Sequence, residues 1–230
     1  MVKIPKIKGL YPVDELNLFL VLNNLKPSTL ISLDPIYIDN PRVKNDFKNG
    51  RDIISGFDDF YLAFDDVQDF RKALVKEGLF FNKKDDSFLS RKNIENYFVK
   101  CQLENYFVAS NKENLNVLVE SFKSGNDYDI GKALGYPEEA CAHYSNQPKA
   151  STGSHFFNEL TIGVNSGVYI PSWIGYISHT PSRMDVLKAD YSKECEFQGK
   201  LFEQFTRKYN PVLAMKVDGK FNRLLEAHKK

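Results

Sequence analysis

The sequence predicts an α+β protein in which a mixed sheet packs against helices. Two strand–cap–helix units of similar shape, in residues 60–78 and 105–125, indicate strands and helices following one another along the chain. Farther on, Asn165-Ser166-Gly167 lies between apolar segments and predicts a C-terminal β-hairpin, which a long helical pattern follows. Apolar residues make up 42% of the chain, which is enough apolar surface for an ordered core.

The N-terminal segment contains a predicted helix and an extended stretch. Asp14 is placed to cap a helix whose apolar residues lie between positions 16 and 22 and which ends before Pro27. Residues 30–38 are predicted to be extended. Residues 39–59 contain Asn, Asp, Gly and Pro throughout and are therefore predicted to be mostly loop.

The first strand–cap–helix unit begins with a predicted strand at residues 60–64. Asp65 follows in the cap position, and apolar residues then keep helical spacing up to Gly78. The next segment, residues 80–100, contains Lys83-Lys84-Asp85-Asp86, which we interpret as a solvated turn.

The second unit begins with a predicted strand at residues 105–109. Ser110 is the predicted cap, with Glu113 in the reciprocal position of a capping box. Gly125 ends the helix, as expected for a residue that adopts a left-handed conformation at low cost.

A tight corner follows at residues 134–137. Asp129 is placed to cap a short helix at residues 130–134, with Gly135 just past its end. Pro137 suits the first position of the next helix, where its missing N–H costs nothing. We therefore expect a positive φ at Gly135 and a structural role for this 134–137 corner.

The C-terminal segment is predicted to be β-rich and then helical. Residues 173–177 continue the β character, residues 184–209 have helical spacing, and Asn210-Pro211 stops that helix. Residues 212–217 are predicted as a strand and residues 221–227 as a closing helix. We divide the chain into an N-terminal α/β portion, 1–100, and a C-terminal domain, 101–230, with one continuous domain as the alternative.

The composition limits the partners and the compartment. Lys and Arg total 31 against 30 Asp and Glu, so the net charge of +1 argues against a strong general attraction to nucleic acid or acidic lipid, while a local basic patch stays open. The three cysteines, Cys101, Cys141 and Cys195, include no CxxC pair and predict a reducing, cytoplasmic setting. The apolar runs are shorter than the roughly 20 residues of a membrane helix.

The motif Ile130-Gly-x-x-Leu-Gly-Tyr-Pro-Glu138 resembles an archaeal family known only as domain of unknown function four-eight-three. The similarity extends back to residue 106 and more loosely forward through residues 176–181 to the long helix, so it covers roughly the C-terminal half. In that family, cysteines often follow the Pro-Glu pair and the downstream His-x-Pro. The corresponding positions here hold Glu139, Ala140 and Ser182. The resemblance implies no stated reaction.

One region is rich in residues that bind metals. His143, His155 and His179 lie within it, together with Cys141 and Cys195, and both residue types are zinc ligands. However, Cys141 and His143 are two positions apart, so on a helix they point in different directions. The pattern therefore predicts no metal: Cys141 is expected in the core, His143 and His155 on the surface and His179 in a turn. A metal or catalytic site is the alternative.

The functional prediction is a ligand-binding or enzyme-like pocket for an anionic small molecule in the C-terminal half. His179, the candidate catalytic residue, can exchange a proton near neutral pH, and Arg183 offers a cation suited to phosphate or carboxylate. Trp173, Tyr176 and His143 are the other candidate ligand-binding residues. A buried, structural role for the aromatic residues is the alternative at the level of the site. A non-catalytic protein- or RNA-interaction module is the alternative at the level of function, and the sequence does not decide whether the protein is an enzyme.

Overall fold

The computed structural model describes residues 10–33, 35–37, 62–84, 88–94, 97–146, 165–167, 173, 184–185, 190–191 and 193–227. These residues form the predicted α+β fold. The helices are α1 (Pro12–Leu22), α2 (Phe64–Lys76), α3 (Lys112–Ser124), α4 (Asp127–Ala133), α5 (Glu138–Ser145), α6 (Lys193–Tyr209) and α7 (Pro211–Ala227). None of these helices is long and apolar enough to cross a membrane.

The strands of the main sheet surround one long central strand. They are β1 (Ser28–Leu33), β2 (Pro35–Tyr37), β3 (Leu62–Ala63), β4 (Phe80–Lys83), β5 (Phe88–Ile94) and β6 (Tyr97–Ala109). β1 and β2 pair with β6 in one continuous antiparallel register, from Ser28 opposite Ala109 to Tyr37 opposite Lys100. β4 and β5 also pair antiparallel with β6, and β3 pairs parallel with β2. A separate antiparallel pair joins β7 (Met184–Asp185) to β8 (Asp190–Tyr191).

Side chains of β6 alternate between two cores because successive residues of a strand face opposite sides. Tyr106 and Val108 pack with α1 and α2 on one face. Phe107 and Ala109 pack with α3 and α4 on the other. The sheet therefore lies between two helical layers, and every side chain at this end of β6 is buried.

Helix α1 is buried on two sides. Leu18 and Val21 contribute to the core against the sheet and α2, whereas Leu16 and Phe19 pack with Trp173, α6 and α7. An almost continuous apolar sequence is expected for a helix with partners on both sides. Full burial of each such side chain contributes about 1.5–3 kcal/mol, so α1 is a main connection between the sheet and the C-terminal helices.

The structure corrects the predicted start of the first two helices. α1 begins at Pro12, whose missing N–H costs nothing at the first helical position, so Asp14 lies inside the first turn and is not the cap. α2 begins at Phe64, one residue before the predicted cap Asp65. The predicted strand before α2 is correspondingly short, because β3 has only two residues.

Two predicted caps are replaced by nearby asparagines. Asn111, not Ser110, caps α3, and its side chain accepts the N–H of Asn114 at 2.8 Å. Asn126, not Asp129, caps α4. In both cases the residue just before the first helical turn is an Asn. Its side-chain oxygen accepts a backbone N–H of the first turn, as the predicted Ser or Asp cap would.

The glycine predictions at the two helix ends are confirmed. Gly125 has φ +68° and Gly135 has φ +79°, both in the left-handed region. The prediction that Pro137 is the first residue of α5 is wrong by one position: α5 begins at Glu138, and the Pro137 carbonyl accepts the N–H of Cys141 at 3.0 Å.

The C-terminal prediction is corrected in three places. The predicted helix from residue 184 is interrupted by β7 and β8, and α6 begins only at Lys193. Residues 212–227 belong to one helix, α7, and not to a strand, a turn and a short helix. Trp173 has helical rather than β conformation. Asn210 ends α6 as predicted and caps α7, since its side chain accepts the N–H of Leu213 at 3.2 Å.

Two further predictions fall mostly outside the described residues, and a third concerns the domain boundary. The loop 39–59 and the strands predicted on either side of residues 165–167 lie outside the described residues. Within the predicted hairpin turn, Asn165 is helical and is followed by turn residues Ser166 and Gly167, with Gly167 at φ +69°. The predicted domain boundary after residue 100 falls inside β6. Since β6 pairs with strands from the first 100 residues, the two predicted portions share one sheet.

Candidate functional site

A charged cluster lies on the α2-covered face of the sheet. Glu104 and Tyr106 come from β6, Arg71 from α2 and Lys83 from the end of β4. One carboxylate oxygen of Glu104 accepts Lys83 Nζ at 2.9 Å, and the other accepts Arg71 Nη2 at 3.3 Å and the hydroxyl of Tyr106. Arg71 also donates to that hydroxyl, from Nε at 2.8 Å and from Nη2 at 2.6 Å.

The apolar core fixes the position of this cluster. The Tyr106 ring lies between the rings of Phe70, at 5.3 Å, and Phe81, at 6.2 Å between centroids. The ring is fully buried, so its hydroxyl is held at the edge of the core. Glu104, two positions earlier on β6, therefore projects from the same face just beyond the last apolar layer.

The electrostatics of the cluster keep Glu104 ionised. Burial alone would raise the pKa of Glu104, but hydrogen bonds from Tyr106 and Lys83, together with the charges of Lys83 and Arg71, outweigh burial and hold it below the ordinary value. Burial and the hydrogen bond to Glu104 raise the pKa of Tyr106 to about 12. Near neutral pH the cluster thus contains a carboxylate, a neutral phenol and two cations.

The cluster has one positive charge and several donors left over. Two cations face one carboxylate, so the net charge is +1. The side chain of Glu104 is 5% exposed, whereas those of Arg71 and Lys83 are 41% and 37% exposed. Within the described part of the chain, Arg71 Nη1 has no acceptor and Lys83 Nζ has only Glu104. Both cations are therefore partly open to solvent.

A second unusual group is the buried Lys26, in the loop between α1 and β1. Its side chain is 3% exposed, its Nζ donates to Asn17 Oδ1 at 2.9 Å, and it lies 5.1 Å from the centroid of the Tyr136 ring. No carboxylate contacts it among the described residues. Burial lowers its pKa to about 8. Because the amine is enclosed, we interpret Lys26 as a structural group beneath the 134–137 corner.

The 134–137 corner is held by contacts from both ends of the chain. A Cβ at Gly135 would lie 2.6 Å from Pro27 Cδ, so the backbone there approaches the α1–β1 loop closely. Ser28 Oγ donates to the carbonyl of Ala133 at 2.6 Å, and Gln198 Nε2 donates to the carbonyl of Gly135 at 2.9 Å. The motif residues thus join β1 to α6, as expected for a structural corner.

A shallow groove of about 660 Å³ lies between α3, α4 and Pro27. Its charged lining residues are Glu120, Asp129 and Lys132. Glu120 pairs with Lys123 at 2.7 Å, and Lys132 pairs with Glu138 at 3.6 Å. With two carboxylates and one cation, the groove does not attract an anion.

The structure describes little of the site predicted from the sequence. His179, Arg183 and Tyr176 lie outside the described residues, and of His143 only the backbone, in α5, is described. Trp173 is 2% exposed, packs in the core with α1, α6 and α7, and donates from Nε1 to Asp218 Oδ1 at 3.0 Å. It has the environment of a core residue, which is the alternative that the sequence left open for it.

The metal-ligand types of the C-terminal half are not gathered in the described structure. Cys141 and Cys195 are buried, and the Cys141 thiol donates to the Tyr136 carbonyl at 3.7 Å. Burial raises the pKa of the Cys141 thiol. In the part of the chain that the structure describes, no group of three or more His, Cys, Asp or Glu residues is arranged to hold a metal ion.

The charged cluster was not predicted from the sequence. Its members come from three separate elements, and no local motif connects them. The alternation of Glu104 and Tyr106 along a predicted strand was the available signal, because a carboxylate on the apolar face of a strand requires a partner.

Comparison with protein-family models, with curated proteins and with solved structures finds no match to this chain. The resemblance to the archaeal family therefore stays a prediction, and the arguments about function rest on the residues themselves.

Proposed function

We propose that the protein binds an anionic ligand through Arg71 and Lys83. The observation that carries this proposal is the excess of cations around Glu104: two cations share one carboxylate, and the side chains of both are partly exposed. A planar guanidinium and a neighbouring ammonium suit phosphate or carboxylate oxygens. The class of ligand agrees with the one predicted from the sequence, and the site is a different one.

The buried carboxylate of Glu104 holds the cations of the site in place. Glu104 and Tyr106 hold the guanidinium of Arg71 through three hydrogen bonds, two to the phenol and one to the carboxylate. A cation that is already positioned loses less conformational freedom when a ligand binds. The expected mode is capture of an anion by preformed donors.

The test is a titration with inorganic phosphate followed by NMR of backbone amides around β4 and β6. Arg71→Gln and Lys83→Gln each remove the excess charge while the other cation still pairs with Glu104. Each should weaken phosphate binding at least about tenfold, since a charge-assisted hydrogen bond contributes roughly 1.5–3 kcal/mol.

The matched control is Lys72→Gln. Lys72 neighbours Arg71 on α2, but its side chain is 74% exposed and pairs with Asp69 at 3.3 Å. Loss of a surface cation there should leave phosphate binding nearly unchanged. Equal weakening by Lys72→Gln and Arg71→Gln would contradict a specific site.

The anion site predicted at His179 and Arg183 remains a separate proposal, supported only by the sequence. Arg183→Ala, in the same titration, tests it. A cytoplasmic location is likewise proposed. It is supported by the sequence, in which the three cysteines include no CxxC pair, as is usual for a reducing compartment.

A further inference from the structure

Helix α6 has a second regular face on the side away from the core. The buried residues of its inner side recur at spacings of four, three and four positions: Cys195, Gly199, Phe202 and Thr206. Exposed residues recur at the same spacings, two positions later in the chain: Phe197, Leu201, Gln204 and Lys208. Residues two positions apart differ by about 200° around a helix. The exposed set therefore lies opposite the core, and we call it the outer face of α6.

The outer face exposes two large apolar side chains. Phe197 is 73% exposed, and Leu201, one turn later, is 41% exposed. Single exposed apolar residues are ordinary, but an alternation of four and three positions is the pattern with which one helix packs along another. The aliphatic stem of Lys208 extends the apolar stripe while its ammonium stays in water. The outer face therefore has the form of a helix-binding surface.

The charges beside this face are arranged symmetrically about Leu201, the middle residue of α6. Three pairs of opposite charge lie at nearly equal distances before and after it: Glu194 and Lys208, Glu196 and Arg207, and Lys200 and Glu203. The distances are seven and seven positions, five and six, and one and two, respectively. In an antiparallel copy of the helix, residues at equal distances on either side of the centre become neighbours. The charges of α6 are thus complementary to those of a second, antiparallel α6.

The two-fold symmetry of a dimer also brings the correct flanks of α6 together. A two-fold axis across the helix makes the copies antiparallel and sets each flank against the same flank of the other copy. One flank carries four charged residues at spacings of four, three and four positions: Glu196, Lys200, Glu203 and Arg207. Glu194 and Lys208 are fourteen positions apart, close to four turns, so they lie on one side of the helix as well. All three pairs are therefore compatible with one two-fold axis.

The charged side chains can exchange partners at little cost. Lys200 pairs with Glu196 at 2.6 Å and Arg207 with Glu203 at 2.9 Å, each one turn apart on α6, and Arg207 also pairs with Asp218 of α7 at 2.8 Å. Exposed pairs of this kind contribute little to stability. Sharing these side chains with a second copy therefore sacrifices little within the monomer.

We propose that the protein forms a homodimer in which the outer faces of α6 of two copies pack antiparallel, with Leu201 near the two-fold axis. The proposal is independent of the anion site. A helix of another protein would also cover Phe197 and Leu201, but the symmetrical charges match a second copy of the same helix. α6 has 17 residues and is roughly 25 Å long. The contact is therefore smaller than a standard interface, and the expected dissociation constant is on the order of micromolar.

The test is analytical ultracentrifugation of the full chain at concentrations below and above micromolar. The wild type should change from monomer to dimer as its concentration rises. Phe197→Glu places a charge in the interface twice, once from each copy, and should raise the dissociation constant at least about tenfold. Because Phe197 is exposed in the monomer, this variant should unfold in urea as the wild type does. The matched control is Val75→Glu on α2, where Val75 is 65% exposed, and its dissociation constant should be unchanged.

A charge reversal tests the proposed pairing. Lys208→Glu sets a carboxylate against Glu194 of the second copy, and this happens twice in a symmetric dimer, so the dissociation constant should rise at least about threefold. Adding Glu194→Lys restores opposite charges and should recover most of the lost affinity. A double variant that dimerises no better than Lys208→Glu alone would contradict the pairing.

Two single cysteines test the direction of packing. Leu201→Cys should form an intermolecular disulfide on mild oxidation, because its two copies meet near the axis. Phe197→Cys should not, because its two copies lie eight positions apart, or roughly 12 Å at 1.5 Å per residue, which exceeds the span of a disulfide. The wild type, in which Cys141 and Cys195 are buried, gives the background. Equal cross-linking of both variants would overturn the antiparallel arrangement. A wild type that stays monomeric at high concentration, or a dimer that Val75→Glu weakens as much as Phe197→Glu does, would overturn the proposal itself.

Discussion

Replacing Lys26 by Met should change how the stability of the protein depends on pH. The native pKa of Lys26 is lowered by burial to about 8 from its ordinary value of 10.5. The folded state therefore gives up this proton more readily than the unfolded state. Between these two pH values the unfolded chain holds more protons, so the free energy of unfolding must rise with pH.

The size of the effect follows from the interval between the two pKa values. Each pH unit within it corresponds to about 1.36 kcal/mol, which gives a limit of roughly 3 kcal/mol. By pH 10 most of this, about 2.5 kcal/mol, should be present. Met keeps the apolar stem of Lys26 without the amine, so Lys26→Met should lack the rise. Near pH 7 the variant should be at least as stable as the wild type, because it buries no charge.

The assay is urea unfolding at several pH values from 7 to 10. Trp173 is the single tryptophan and is buried, so its fluorescence reports loss of the core. The same replacement at Lys123, whose side chain is 66% exposed, shows what loss of any lysine does. A difference between wild type and Lys26→Met that stays constant from pH 7 to 10 would refute the argument that the amine is desolvated.

Three other substitutions test single features. Gly135→Ala should destabilise the fold by more than Gly125→Ala does in thermal unfolding, because both have positive φ but only Gly135 faces a Cβ contact, with Pro27 at 2.6 Å; strain in φ alone costs about 1–3 kcal/mol. Burial raises the native pKa of Asp14 to about 7, so the stabilisation by its protonated form is present below the ordinary pKa and lost as pH rises towards 7. Asp14→Asn should therefore remove a loss of stability between pH 4 and 7, measured by urea unfolding. Partial solvent contact limits the size of this loss to about 2–4 kcal/mol. Asn111→Ala should cost about 0.5–2 kcal/mol through loss of the α3 cap, and an unchanged midpoint would show that water replaces it.

The sequence predicted the parts of the fold that depend on local chemistry. Gly125 and Gly135 were placed correctly because a left-handed residue at a helix end favours glycine. Asn210-Pro211 was also predicted correctly as the end of α6, because this too depends on the chemistry of neighbouring residues. The helix caps were displaced by one to three residues, since several capping residues occur near each start and tertiary context selects among them.

The larger error concerned α7. Residues 212–217 form a short apolar run before Asp218-Gly219, and such a run is ambiguous between strand and helix. The structure resolves the ambiguity through burial. Leu213, Ala214 and Val217 pack against α1 and α6, and Phe221 is buried one turn farther along the same helix. That partner surface is not visible in the local sequence.

The candidate site could not be predicted from local sequence patterns, for a similar reason. Arg71, Lys83 and Glu104 become neighbours only when α2, β4 and β6 meet, and none of them is in a motif. Lys26 likewise gives no signal, because a lysine before a proline in a loop is ordinarily exposed. Only the packing of Tyr136 over the amine shows that this one is enclosed.

The central position of β6 also sets an order for folding. β1, β2, β4 and β5 all precede β6 in the chain, and all of them hydrogen-bond to it. During synthesis the N-terminal strands therefore wait, without their main partner, until residue 109 has been made. The adjacent β5–β6 hairpin closes the shortest loop and is the expected first event, and the pairing of Ser28 with Ala109 is among the slowest because its loop is long. Until then α1 and β1 expose apolar surface, so a nascent chain that stops before β6 is the form most prone to aggregate.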